Sequence, residues 1–115
     1  MSNVLGLDVS TSRIGLCVIN EKEEILKSDV LKLDSKHSLE YRASIFADWL
    51  NVLSTPIDKV YIEQPIQFMA NQSAAHTLII LHTFSGMARY VVSQTFSEPV
   101  LLNVSSMRSK LGIKI

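Results

Sequence analysis

The fold of this 115-residue chain is decided by one stretch near its amino terminus, Val4-Leu-Gly-Leu-Asp-Val-Ser-Thr-Ser-Arg-Ile-Gly-Leu-Cys-Val-Ile19. Apolar residues fill both faces of its first half, a pattern typical of a central strand that is covered on both sides. Small hydroxyl residues and an arginine follow, and then a second apolar run begins. The stretch therefore predicts a β-hairpin.

Asp8 is the one charged residue in the first strand of that hairpin. Burying a carboxylate without a partner is costly, so Asp8 needs hydrogen-bond donors, a cation or an exposed strand end. One interpretation places it at the sheet edge as a functional acid. The other makes it a turn residue that accepts hydrogen bonds from the amides of Ser10 and Thr11.

The next two elements differ in their apolar period. Residues 25–33 read as a third strand, at an edge of the sheet because Lys27 and Lys32 discourage pairing with other chains. From residue 38 onward, apolar side chains recur at intervals of three and four: Leu39, Ala43, Phe46, Leu50 and Leu53. This spacing predicts an amphipathic helix over 39–53 with Ser38 as its N-cap and Arg42 mostly on another face.

A second acid follows the next apolar run, in Val60-Tyr-Ile-Glu63. The order strand, helix, strand implies a parallel crossover, which places this fourth strand beside a strand of the hairpin. If that neighbour is the first strand, Asp8 and Glu63 emerge at the same edge, about 5 Å apart. Two carboxylates this close repel unless a cation lies between them, so the pair predicts Mg²⁺ or Mn²⁺.

The remaining sequence predicts one long helix and one more strand. Residues 73–96, with Ser73 as candidate cap, are apolar on most sides, so this helix either meets another subunit or is a fully buried core helix. Residues 100–104 read as a fifth strand, and 105–110 as the opening of another helix. We expect a single domain over 1–115 that lacks the final helix.

Composition limits the function classes. The formal net charge is zero, so no overall field attracts nucleic acid or membrane. Residues 64–115 are nevertheless mildly basic, with Arg89, Arg108, Lys110 and Lys114 against Glu98 alone. The single Cys17 excludes an internal disulfide and fits a reducing cytosol. Since no signal peptide or membrane-length apolar run occurs, we expect a cytoplasmic protein without a membrane partner.

Four segments taken together resemble a known family. They are Gly6-Leu-Asp-Val-Ser-Thr-Ser-Arg-Ile-Gly15, Ile62-Glu63-Gln64, Phe68-Met-Ala-Asn71 and Ser85-Gly86-Met-Ala-Arg89. In this order they resemble the RuvC family of Holliday junction resolvases within the RNase H-like superfamily. The first segment alone also resembles actin-like and sugar-kinase ATPases. The resemblance implies an RNase H-like α/β domain with a mixed five-stranded sheet of order 3-2-1-4-5, strand 2 antiparallel, flanked by helices.

The resemblance also implies an activity. RuvC-like proteins are Mg²⁺-dependent endodeoxyribonucleases, usually homodimers, that cut four-way junctions in DNA recombination and repair. Asp8 and Glu63 match the first two of the four carboxylates that hold two metal ions in the family. The other two lie on the family's last helix and have no counterpart here, because Glu98 precedes strand five. We therefore expect an incomplete site with little or no cleavage, the activity belonging to the family or to a longer parent chain.

Three further residues carry over from the family as DNA contacts. Phe68 resembles an aromatic residue that the family places near the junction, although it could equally close the core. Arg108 and Lys110 fall in the family's basic stretch after strand five, where the alternative is a solvated surface. The homodimer is expected through the 73–96 helix. Two other functions stay open: a non-catalytic dimerising or DNA-binding fragment, and an actin-like ATPase-type domain.

Overall fold

The computed structural model describes residues 2–63 and 72–102, with only the backbone described for 72–74. Phe68, Arg108 and Lys110, which the resemblance assigns to DNA, lie outside the described residues. So does the helix predicted to open at 105–110.

Five strands and two helices make up the described part of the chain. They are β1 (Asn3–Val9), β2 (Arg13–Asn20), β3 (Ile25–Lys32), α1 (Leu39–Asn51), β4 (Lys59–Glu63), α2 (Gln72–Thr95) and β5 (Val100–Leu102). The sheet order is β3-β2-β1-β4-β5. β2 runs antiparallel to β1 and β3, while β4 runs parallel to β1 and β5 parallel to β4. The predicted RNase H-like order 3-2-1-4-5 is confirmed.

The helix α1 begins where the sequence predicts it. The hydroxyl of Ser38 accepts a hydrogen bond from the amide of Tyr41 at 3.1 Å, and Glu40 lies in the first turn. Both features stabilise a helix amino terminus, one by satisfying an orphan donor and the other through the helix dipole. The helix ends at Asn51, two residues before the predicted end at Leu53.

The hydrophobic core lies between one face of the sheet and the two helices. The sheet contributes alternate residues of its central strands, namely Leu5, Leu7, Ile14, Leu16, Val18, Val60 and Ile62. Phe46 and Leu50 of α1 and Phe84, Ala88 and Val92 of α2 complete it. Full burial of each large side chain stabilises the fold by about 1.5–3 kcal/mol. The opposite sheet face, which carries Asp8, is therefore not part of this core.

The helix α2 has one buried stripe and one exposed stripe, both partly apolar. Phe84, Ala88 and Val92, spaced by four, are fully buried, whereas Ile79 and Tyr90 are 65% and 66% exposed. The helix begins at Gln72, so Ser73 lies inside it and is not its N-cap, contrary to the sequence prediction. Within the described ranges, neither helix is long and apolar enough to cross a membrane.

Candidate functional site

Asp8 and Glu63 lie at the same level of two neighbouring strands. The parallel register pairs Leu7 of β1 with Ile62 of β4, and each acid is the next residue of its strand. Residues at equal positions of neighbouring strands project from the same face, with Cα atoms about 5 Å apart. Asp8 is exposed and Glu63 is partly buried. The fold therefore places two carboxylates side by side at the carboxyl ends of parallel strands, where open α/β sheets bind ligands.

The other neighbour of Asp8 is a glycine. Gly15 of β2 is its antiparallel partner, and a Cβ placed on Gly15 would lie 3.8 Å from the Cβ of Asp8. On the far side, Glu63 pairs with Leu102 of β5. Because Gly15 has no side chain, no side chain of β2 fills the position directly beside Asp8 on that strand. Among the described residues, this leaves the β2 side of Asp8 accessible to a ligand.

The turn after β1 closes through Ser10. Its amide donates to the carbonyl of Arg13 at 3.0 Å, its hydroxyl donates to the same carbonyl at 2.8 Å, and the Arg13 amide donates to that hydroxyl at 3.2 Å. The interpretation of Asp8 as a turn residue required the Ser10 amide to bind Asp8, and that amide binds Arg13 instead. The turn is held by a serine rather than by the acid.

Arg42, which the sequence sets apart from the apolar stripe of α1, is nevertheless buried. Arg42 is only 9% exposed. Its guanidinium donates three hydrogen bonds to backbone carbonyls. Nε reaches the carbonyl of His37 at 2.9 Å, and the two terminal nitrogens reach those of Thr11 at 2.8 Å and Ser35 at 3.2 Å. A buried cation needs such partners. Sequence periodicity does not reveal these contacts, because they depend on the path of the loop before α1, which holds Ser35 and His37, and on the packing of the distant Thr11 turn against it.

Two basic residues lie near the acids on the same face of the sheet. Arg13 of β2 pairs with Lys32 of β3, and Arg13 is two residues from Gly15, so it shares the face of Gly15 and Asp8. Both side chains are exposed. From the sequence, Lys32 is interpreted only as a charge that protects an edge strand. Its pairing with Arg13 depends on the register of β2 against β3, which the sequence alone does not give. Together the two residues place positive charge on this face, on the β2 and β3 side of Asp8.

Glu98 does not approach the acid pair. It is exposed and precedes β5, whereas Glu63 pairs with Leu102 at the other end of that strand. Since β4 and β5 are parallel, Glu98 lies near the amino-terminal ends of these strands, whereas the two acids lie near the carboxyl ends. This agrees with its exclusion from the site on sequence grounds.

Cys17 lies on the same sheet face as Asp8. It pairs with Gly6 of β1, two residues along the strand from the Asp8–Gly15 pair. Burial raises the pKa of its thiol, because the charged thiolate is penalised by loss of solvent. The thiol is therefore a poor metal ligand or nucleophile at neutral pH.

The described residues supply oxygen ligands but not a complete metal cage. No group of three or more His, Cys, Asp or Glu side chains within 2–63 and 72–102 could hold a metal ion. Mg²⁺ commonly binds through one or two carboxylates together with water and substrate phosphate, so two adjacent carboxylates fit this ion. Asp8 and Glu63 would be its protein ligands.

The sheet order, the helices and the acid-bearing strand ends define an RNase H-like fold. Among solved structures, the chain is similar to RuvC of Thermus thermophilus in complex with a Holliday junction substrate, with a TM-score of 0.69, 16% identity, and coverage of 100% of this chain and 82% of that one. Another Thermus thermophilus RuvC structure gives a TM-score of 0.65 at 15% identity, covering 98% of this chain and 82% of that one.

A third similar structure belongs to a different class of protein. The ethanolamine utilization protein EutJ from Carboxydothermus hydrogenoformans gives a TM-score of 0.60 at 13% identity, covering 98% of this chain but 41% of that one. No protein-family model matches the sequence, and no curated protein matches it either. At these identities the likeness establishes the fold alone.

Proposed function

We propose that this chain is a RuvC-like domain that binds a divalent cation through Asp8 and Glu63 and binds branched DNA of the Holliday junction type, in recombination or repair. The observation that carries the proposal is the register of β1 against β4, which brings the two acids to the same level. The RuvC structure that shares the fold is described in complex with a Holliday junction substrate.

The metal follows from the chemistry of the two acids. Their oxygens suit a hard cation, and the open β2 side at Gly15 leaves room for water and a phosphate. An Mg²⁺ ion held there would supply one of the two roles of a two-metal site, which are to activate a water and to stabilise the leaving oxygen of a phosphodiester. Asp8 and Glu63 contribute by fixing their carboxylates on rigid strands rather than on loops.

DNA binding is supported by the basic pair on the same face. Arg13 and Lys32 lie beside each other, beyond the acids and toward the turn. A phosphate backbone that crosses this face would meet positive charge next to the metal ligands, and each neutralised phosphate adds salt-dependent affinity. Phe68, Arg108 and Lys110 are proposed as further DNA contacts on the resemblance alone.

Cleavage by this chain is expected to be weak or absent. Glu98 is the only acid after Glu63 in the sequence, and it lies at the opposite sheet edge. Two carboxylates can hold one ion, whereas the two-metal mechanism needs ligands for both. The second candidate function is a non-catalytic dimerising or DNA-binding fragment of a resolvase.

We place the homodimer contact on the exposed stripe of α2. Ile79 and Tyr90 are eleven residues apart, which is close to three full helical turns, so they share one face. Beside them runs a groove of about 510 Å³ between α1 and α2, lined by Ala43, Ala47, Gly86, Met87, Tyr90 and Val91 among others. A second copy that covers this face would remove two large exposed apolar side chains from water.

Metal binding is tested by NMR with Mn²⁺ as the probe. Paramagnetic broadening should be strongest at the amides of Asp8 and Glu63 and should disappear in Asp8→Asn. The matched control is Asp48→Asn, which removes an exposed carboxylate from α1. ATP added to protein that is already saturated with Mg²⁺ should leave these signals unchanged. Specific shifts with ATP in the hairpin would favour the actin-like alternative instead.

DNA binding is tested with a four-way junction and a linear duplex of the same sequences. Fluorescence anisotropy should give tighter binding to the junction, and the affinity should fall as salt rises. Cleavage is followed on the same junction with Mg²⁺. Strong cleavage that Asp8→Asn abolishes would show that the two acids suffice, contrary to our expectation. Equal, weak binding to both DNAs would remove the junction-binding proposal.

A further inference from the structure

Arg42 joins two separate segments of backbone through three carbonyls. Its guanidinium bonds the carbonyl of Thr11 in the β1–β2 turn and those of Ser35 and His37 before α1. The planar fork of an arginine suits several acceptors at once, and hydrogen bonds from an ionised donor are stronger than neutral ones. One buried side chain thus ties the hairpin to the entry of the helix.

A second bond ties the same turn to the same segment. The amide of Leu33 donates to the carbonyl of Ser12 at 2.8 Å. Thr11 and Ser12, the two central residues of the turn, therefore both give their carbonyls to the segment between residues 33 and 42. The bonds of Ser10 close the turn internally, whereas these two fix it against the rest of the domain.

The turn begins two residues after Asp8. Beyond Leu7, β1 pairs only with β2 among the residues that the structure describes, through the pairs Asp8–Gly15 and Val9–Ile14. The end of β1 therefore moves with the hairpin, and whatever fixes the hairpin end fixes the direction of the Asp8 carboxylate. Small errors in the position of a ligand are costly, because metal sites depend on the residues that orient their ligands.

We infer that Arg42 is a positioning residue for Asp8: by holding the Thr11 carbonyl, it fixes the hairpin end so that Asp8 and Glu63 together bind a divalent cation. This inference rests on the proposed function. It assigns to a helix residue that touches no phosphate or metal a share of the metal affinity of the site.

Two substitutions of Arg42 test whether its hydrogen bonds, rather than its volume or its charge, are needed for metal binding. Arg42→Met keeps much of the volume and removes every donor, and it should weaken Mn²⁺ binding by about 10-fold or more, as loss of an orienting partner commonly does. Arg42→Lys keeps the charge but offers one nitrogen in place of a fork, so its Mn²⁺ affinity should lie between those of the wild type and Arg42→Met.

The control is a destabilised variant that leaves the turn intact. Val92→Ala removes buried methyl groups from α2, on the core side of the sheet. Mn²⁺ affinity is measured from the broadening of the Asp8 and Glu63 amides in folded protein. Hydrogen exchange of the Ser10 and Arg13 amides is measured in the same samples. Should Arg42→Met fail to fold, Arg42→Lys is compared with Val92→Ala alone.

The outcomes distinguish this inference from the proposed function. Weaker Mn²⁺ binding and faster turn exchange in the Arg42 variants, with wild-type affinity in Val92→Ala, would support the positioning role. Wild-type affinity in the Arg42 variants, or an equal loss in Val92→Ala, would overturn it and leave the metal site standing. An absence of Mn²⁺ binding in the wild type would overturn both.

Discussion

Asp8 and Glu63 are brought to one level because Leu7 and Ile62, the residues just before them, pair in parallel. Leu7 and Ile62 are fully buried, so the core fixes the strand position of the acid that follows each of them. The core therefore fixes the levels of the two acids, while the direction of the Asp8 carboxylate also depends on the end of the hairpin. Two carboxylates this close repel each other, and a cation bound between them would relieve that repulsion.

The first prediction concerns that repulsion. Asp8→Asn should leave the free energy of unfolding unchanged or raise it by about 0.5–2 kcal/mol in the absence of metal, because one of two neighbouring charges is lost. Mn²⁺ should raise the Tm of the wild type and not that of the variant, since only ligand bound to the native state stabilises it. Thermal unfolding with and without Mn²⁺ measures both effects. A Tm that drops sharply in Asp8→Asn without metal would identify Asp8 as a structural residue.

The existence of the strands could be predicted from the sequence because apolar runs mark them, and the strand-helix-strand order favours a parallel crossover. The full order 3-2-1-4-5 comes from the resemblance to a family, and the pairing of strand four with strand one is one of the possibilities that the crossover leaves open. Asp8 and Glu63 each end such a run, so their placement follows from topology. The catalytic and metal-binding roles assigned to them stay predictions.

The burial of Arg42 could not be predicted in the same way. An arginine in the first turns of an amphipathic helix normally faces solvent. Here its acceptors are carbonyls of Thr11, Ser35 and His37, whose positions depend on how the hairpin and the loop before α1 pack. The sequence likewise could not predict that Phe84 of α2 is buried and Ile79 exposed. A helix that is apolar on most sides does not reveal which of its faces packs against the sheet.

The second prediction concerns the space beside Asp8. Gly15→Ala should fold normally, because its new methyl group would meet the Asp8 Cβ at an ordinary 3.8 Å. Gly15→Val adds two more methyl groups on that face and a residue that favours strands. We expect it to be at least as stable as Gly15→Ala but to bind Mn²⁺ more weakly. Chemical denaturation and Mn²⁺ titration compare the two, and equal Mn²⁺ affinity would mean that ligands do not approach from the β2 side.

The third prediction concerns pH. Because burial raises the pKa of the Cys17 thiol, less thiolate is present at neutral pH than for a free thiol. Alkylation by iodoacetamide should therefore be slow at pH 7 and should rise with pH only beyond the range of an ordinary cysteine. Mass spectrometry of the single cysteine follows the rate. The same chain in denaturant is the control and should show the ordinary profile; an identical profile in the folded protein would contradict the effect of burial.

The fourth prediction concerns the middle of α2. A Cβ on Gly86 would meet the Arg89 guanidinium at 3.7 Å, an ordinary contact with the flexible end of a side chain. Gly86→Ala should therefore stabilise the domain by about 0.5–1 kcal/mol, through helix propensity and the lower entropy of the unfolded chain. Urea unfolding measures this gain. A loss of stability would instead show that the groove beside α1 needs the glycine, as it would if a second copy packed closely there.

The fifth prediction concerns the exposed stripe of α2. If Ile79 and Tyr90 lie in a homodimer contact, the double variant Ile79→Glu and Tyr90→Glu should be monomeric, because charges would be buried without partners. The denaturant midpoint of this monomer should be close to the wild-type midpoint extrapolated to low protein concentration. The reason is that both side chains lie outside the core. Ile25→Glu is the matched control: it charges a residue that is 66% exposed on the edge strand β3 and should leave the mass unchanged. Sedimentation equilibrium over a range of concentrations decides the matter. A dimer that persists in the double variant, or one that Ile25→Glu dissociates, would move the contact from α2 to another surface.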